Sequence, residues 1–153
     1  MRNALALAVF LVATFSAGAL GAMFTPGPWY EALAKPSWTP PNWLFGPVWT
    51  ALYILIAVSA WLVWREVGVS AARLALALFA AQLLLNALWS WLFFGLERPG
   101  LALIDILLLE AAIVWMLMTF LPLSRLAGMM LIPYLIWVSF ATLLNAAIWQ
   151  LNA

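Results

Sequence analysis

The sequence predicts an all-α fold, an integral membrane bundle of five transmembrane helices. Three observations carry this. Of 153 residues, 69% are apolar and 7% charged, against about 25% charged in ordinary soluble domains, so too little polar surface exists to wrap a water-soluble globule. Apolar runs of about 20 residues, the length needed to cross a hydrocarbon core as helix, recur along the chain. The connections between the later runs are only a few residues long, which forces antiparallel neighbours and one compact bundle.

The first run spans about residues 4–24. Arg2, the apolar stretch and Ala19-Leu20-Gly21-Ala22 share the layout of a secretory signal peptide, although the run is longer than a usual signal core. Ala17 with Gly21, and Gly18 with Ala22, instead form small-xxx-small pairs that let helix backbones approach, within the bundle or between subunits. The second run, about 43–65, follows Asn42 as a candidate cap, and the third, about 71–95, follows Ser70. Pro99-Gly100 separates the third from the fourth, about 100–121, which Pro122 is expected to stop. The fifth, about 125–150, follows Ser124 and contains Pro133, which has no N–H for the carbonyl of Met129, so a kink is expected. The only long connection covers about 25–42. Nothing marks a second domain, and the chain reads as a single unit over residues 1–153.

Charge and composition exclude several function classes. A net charge of +1 gives no sign of a nucleic-acid partner. The chain has no cysteine and no histidine. Disulfides, thiol chemistry, the usual haem axial ligands and most transition-metal sites are therefore absent, and neither a metal nor a required cofactor is expected. Without paired carboxylates, conventional acid–base or nucleophilic catalysis is not expected either. Asp105 and Glu110 fall on different faces of the fourth helix. Asp105 is expected to reach the interface, toward Arg98 or Lys35. Glu110, near the midplane, is expected to be protonated or hydrogen-bonded to another helix. Arg2, Arg65, Arg73 and Arg125 lie on the N-terminal side, Lys35 and Arg98 on the other, which predicts a cytoplasmic N-terminus.

In lipid, polar side chains must find partners within the protein, so they report the bundle interior. Gln82, Asn86 and Ser90 share one face of the third helix, bordered by Trp89 and Phe93. Tyr134, Trp137, Ala141 and Asn145 share a face of the fifth, and Trp49 and Tyr53 lie one turn apart on the second. Of the 11 tryptophans, Trp61, Trp64 and Trp149 fit an interfacial belt. Trp137 does not, being roughly 18 Å along its helix; it packs a core or lines a cavity. Trp49, Trp89, Trp91 and Asn145 lie in the half nearest the long connection, so a cavity there would open toward it. Pro36, Pro40 and Pro41 stiffen that connection, and Trp29, Tyr30, Trp38 and Trp43 give it broad apolar faces with polar edges. It reads either as a lid over an aromatic pocket or as a connection resting among headgroups.

Trp29-Tyr30-Glu31-Ala32-Leu33-Ala34-Lys35-Pro36-Ser37-Trp38-Thr39-Pro40-Pro41 resembles the W-Y-x-x-L-x-K-P-x-W-x-P-P signature of the translocator protein family, which includes the bacterial tryptophan-rich sensory proteins and the peripheral-type benzodiazepine receptor. The blocks Ala81 to Trp89 with Phe93-Phe94, and Pro133 to Trp137 with Ala141 to Asn145, resemble that family's third and fifth helices. The resemblance covers essentially the whole chain. It implies a five-helix bundle, usually a homodimer, with a ligand cavity closed by the first loop. It also implies porphyrin ligands (protoporphyrin IX or haem), isoquinoline-carboxamide or benzodiazepine drugs, and in some members cholesterol. Carried across by motif, the ligand-binding residues are Tyr30, Trp38, Trp49, Tyr53, Asn86, Trp89, Ser90, Tyr134, Trp137, Ala141 and Asn145. The lid residues are Trp29, Lys35, Pro36, Pro40 and Pro41. Trp49 and Trp137 match the tryptophans implicated in light- and oxygen-dependent porphyrin breakdown. The sterol-recognition pattern of vertebrate members is not matched: Ala141 to Trp149 holds no tyrosine, and no Lys or Arg follows Arg125, which counts against cholesterol.

Three functions follow as expectations. The first is a tetrapyrrole-binding protein for transport, sensing or stress regulation. The second is a photo-oxidative protoporphyrin-degrading protein acting through Trp49 and Trp137. The third is a membrane protein that holds only sterol or lipid.

Overall fold

The structure, a computed structural model, describes all residues, Met1–Ala153. Every regular element is helical: α1 Arg2–Ala22, α2 Pro28–Ala32, α3 Asn42–Ala71, α4 Arg73–Ser90, a π-helical turn Trp91–Gly95, α5 Pro99–Leu123, α6 Arg125–Met130 and α7 Ile132–Asn152. Five stretches are long and apolar enough to cross a membrane: α1, α3, α4 with its π turn, α5, and α6 joined to α7. The chain is therefore an integral, multi-pass membrane protein.

Several boundaries differ from the sequence expectation. The second span does not end near residue 65. Helical pairing continues to Ala71 across a kink at Gly68, where φ is +74°, a conformation that costs a glycine little because it has no Cβ. Ser70 therefore lies inside this helix and caps nothing; α4 starts after Ala72 without a side-chain cap. Asn42 is likewise the first helical residue rather than the cap. Pro41 holds the cap position with extended backbone (φ −65°, ψ 146°), which its ring favours, so the chain enters the helix without side-chain help. Pro122 does not stop the fourth span; it sits in the last turn of α5, and the chain becomes extended two residues later at Ser124. Ser124 does cap α6, accepting from Ala127 N–H. The fifth span breaks at Leu131, two residues before Pro133, so the irregularity expected near the proline is a division into α6 and α7.

The bundle is solid at one end and hollow at the other. On the side holding the end of α3, the end of α5 and α6, the completely buried side chains Ile56, Ala60, Val63, Ile113, Met116, Phe120 and Ala127 form a continuous core. Ser59 anchors this end by donating to the Ala127 carbonyl. α4 packs extensively on α5, α5 on α7, and α1 on α3. α3 meets the fifth span mainly through α6 and barely touches α7. The helices therefore diverge toward the long connection. A second, smaller cluster (Tyr30, Phe93, Ala102, Leu144, Ile148) closes that end beneath α2.

Candidate ligand cavity

Between the diverging helices lies a cavity of about 630 Å³, within the range of about 300–1,000 Å³ typical of small-molecule sites. Its walls come from α1, α3, α4, α5 and α7. Nine residues named from the sequence line it: Tyr30, Trp49, Tyr53, Asn86, Trp89, Ser90, Trp137, Ala141 and Asn145. Rings dominate. Trp49 and Tyr53 lie tilted with centroids 5.4 Å apart, and Trp89 stacks on Phe93 at 5.0 Å and 22°.

The polar residues mainly brace these rings. Tyr53 Oη donates to Asn86 Oδ1 (3.1 Å), Asn86 Nδ2 donates to Tyr134 Oη (3.1 Å), and Tyr134 Oη donates to Gln82 Oε1 (2.7 Å). This chain ties α3, α4 and α7 together. A parallel clasp has Trp89 Nε1 donating to Asn145 Oδ1 (2.9 Å) while Asn145 Nδ2 donates to the Pro99 carbonyl (2.8 Å). Each asparagine keeps one N–H and one lone pair beyond these bonds.

Two expected ligand residues lie elsewhere. Tyr134 is completely buried behind the wall, where its hydroxyl is held by Gln82 and Asn86, and it acts as a brace. Trp38 is outside the lining; it is 48% exposed and packs edge-on against Phe140 at 5.7 Å. The expected lid also divides. Tyr30, with Thr25 and Pro26, reaches the cavity, but Trp29, Lys35, Pro36, Pro40 and Pro41 do not. Trp29 packs on Phe93, at 5.8 Å. Lys35 Nζ donates to the carbonyls of Tyr30, Glu31 and Leu33 and sits 4.7 Å from the Tyr30 ring, closing the end of α2. Burial pushes the Tyr30 phenol above its ordinary pKa.

Asp105 does not reach Arg98 or Lys35. It is 3% exposed and neither carboxyl oxygen has a hydrogen-bond partner; it faces the packed side of α5 along with Ala102 and Leu109, which points it inward. Glu110 does bond across helices: Ser139 and Thr142 of α7 donate to its two carboxyl oxygens. Trp91 is 42% exposed and does not line the cavity.

Sequence reasoning missed the wall supplied by α1 and by Phe45. The signal was present in the small residues of α1. A Cβ on Gly18 would lie 2.5 Å from the Tyr53 ring, and one on Gly21 would lie 3.0 Å from Ser90 Oγ. Those glycines let α1 close the cavity, so their role is within the bundle.

The TspO/MBR family's sequence model matches residues 8–150. Protein CrtK of Rhodobacter capsulatus is 44% identical over 149 residues, covering 95% of this chain and 91% of that protein. Tryptophan-rich protein TspO of Chlorobaculum tepidum is 42% identical over 158 residues, covering 99% and 98%. The human translocator protein is 42% identical over 126 residues, covering 81% of this chain and 75% of that protein.

Proposed function

Because the chain belongs to the TspO/MBR family, whose membership supports a membrane translocator or sensor role, we propose that it binds porphyrins, protoporphyrin IX or haem, in the cavity between its helices. The observation that carries this reading is the pairing of aromatic walls, Trp49 with Tyr53 and Trp89 with Phe93, around one cavity roofed by Tyr30. Flat π-systems gain from offset stacking and edge contacts on such walls. Isoquinoline-carboxamide and benzodiazepine-type molecules share that flat apolar chemistry. With no histidine or cysteine in the chain, the macrocycle is held by stacking and hydrogen bonds rather than by a strong iron ligand. In this reading the N-terminus faces the cytoplasm, α2 and its loop face away from it, and the protein works as a homodimer.

The test is titration of the purified protein with protoporphyrin IX while following tryptophan fluorescence. Saturable quenching that falls at least tenfold in affinity in Trp89→Ala supports the reading. No quenching would leave the cavity to lipid or sterol.

A second reading is favoured by one specific placement: Trp49 and Trp137 both line the cavity. A photoexcited porphyrin there would lie beside two oxidisable indoles. If Trp49→Phe and Trp137→Phe leave light-driven porphyrin loss unchanged, that reading fails.

A further inference from the structure

Along the seam between α3 and α7, one side chain stands between the cavity and the lipid-facing surface. Trp137 lines the cavity and also backs a second hollow of about 480 Å³, an open groove whose other walls are Val48, Leu52, Pro133, Ile136 and Phe140. The groove lies where α3 and α7 diverge, and Ile136 on its rim is 65% exposed. Its walls are apolar, as suits a face turned to acyl chains.

Trp137 has no polar tether. Its ring packs against Phe45 at 5.8 Å and Phe140 at 5.5 Å and against the edge of the apolar core. Its Nε1 is buried and donates to nothing. An unpaired buried donor is unfavourable, so turning the indole toward a guest's oxygen breaks no hydrogen bond and relieves a deficit. Trp89 differs: its indole N–H is clasped by Asn145. The roof is tied as well, through Asn152 and Lys35.

We propose that Trp137 is a side door, through which flat apolar molecules pass between the bilayer and the cavity along the seam between α3 and α7. This rests on the ligand-cavity reading and deepens it by giving the guest a route that bypasses the roof. The competing route is the rim between α1 and α3, where Ala19 and Gly46 are exposed.

The absence of native cysteine makes the test clean. Ala141→Cys places a single thiol in the cavity wall, and its labelling in liposomes by a bilayer-dissolved pyrenyl maleimide reports entry without any porphyrin. The expected result is labelling at least fivefold slower when Val48→Trp fills the groove, at least fivefold faster with Trp137→Ala, and unchanged with Ala19→Trp. Ile136→Trp, on the lipid side of the same groove, repeats the blocking arm if Val48→Trp does not fold. Labelling insensitive to both groove-filling changes, or slowed only by Ala19→Trp, would overturn the door. Protoporphyrin IX quenching on the Val48→Trp chain should show slower onset at unchanged affinity. A parent chain without quenching would remove the porphyrin reading while labelling still decides the door.

Discussion

The side chain of Asn152, at the end of α7, pairs with both backbone groups of Ala34 in the first connection: Ala34 N–H donates to Oδ1 and Nδ2 donates to the Ala34 carbonyl, each at 2.9 Å. Nδ2 also donates to the Ile148 carbonyl, which fixes the amide's orientation. Two residues 118 positions apart thus lock the roof to the wall. Net hydrogen bonds are worth about 0.5–1.5 kcal/mol each, and these are exposed. Asn152→Ala should therefore raise the open population of the segment 33–39 by roughly five- to tenfold. Amide hydrogen exchange of that segment checks this, and unchanged protection would show that Lys35 and the aromatic contacts suffice.

Asn145→Ala removes the clasp between Trp89 and Pro99. It strands a partly buried indole N–H and a carbonyl, and each unpaired buried group costs about 1–3 kcal/mol. A lower midpoint of thermal unfolding in detergent is expected, together with weaker ligand quenching, because Trp89 loses its fixed ring plane. Asn145→Asp, which keeps the acceptor for Trp89 but not the donor to Pro99, should fall between the two.

Glu110 is held by two hydroxyls rather than by a cation. Glu110→Gln keeps a side chain able to bond both, since hydroxyls donate or accept, and should shift stability by less than about 1 kcal/mol. Glu110→Ala leaves Ser139 without its partner and opens space at the α5–α7 crossing, at a cost of about 1–3 kcal/mol. Thermal unfolding of both variants compares these outcomes. Equal losses would mean that the charge matters rather than the hydrogen bonds.

The Tyr30 phenol is raised by burial. A group whose folded pKa lies above its unfolded value contributes stability fully below the unfolded value, about 10 for tyrosine. That contribution disappears as pH rises through the folded value. The roof should therefore be insensitive to pH between 6 and 9 and loosen above about 10. Proteolytic nicking of residues 33–41 measures this, and Tyr30→Phe should remove the alkaline step at this residue.

If stacking rather than iron ligation holds the macrocycle, haem and metal-free protoporphyrin should bind within about tenfold of each other, a difference of about 1.4 kcal/mol. Parallel titrations decide it. A hundredfold preference for haem would point to an iron ligand, with Tyr53 the first residue to replace.

Much of the site was legible because periodicity in lipid is informative. Asn86, Ser90, Asn145 and Trp137 stood out as residues whose polarity or depth demanded an interior address, and all line the cavity. Tyr134 carried the same signal but is a brace, because face membership does not tell a wall from the layer behind it. Trp38 carried the family motif yet rests on Phe140 outside the lining. A loop's path depends on contacts such as Asn152 with Ala34, which no local pattern announces.

By itself the sequence determined that this is a bundle of apolar helices with its polar and aromatic faces turned inward, because lipid leaves backbone and side-chain polar groups no other partner. Only the tertiary structure decided where the interior is solid and where it is hollow. That depends on α3 keeping to α6 while diverging from α7, and on Gly18 and Gly21 admitting α1 against Tyr53 and Ser90. Helix separation is set by side chains meeting across the bundle, and those meetings are not encoded in any one segment.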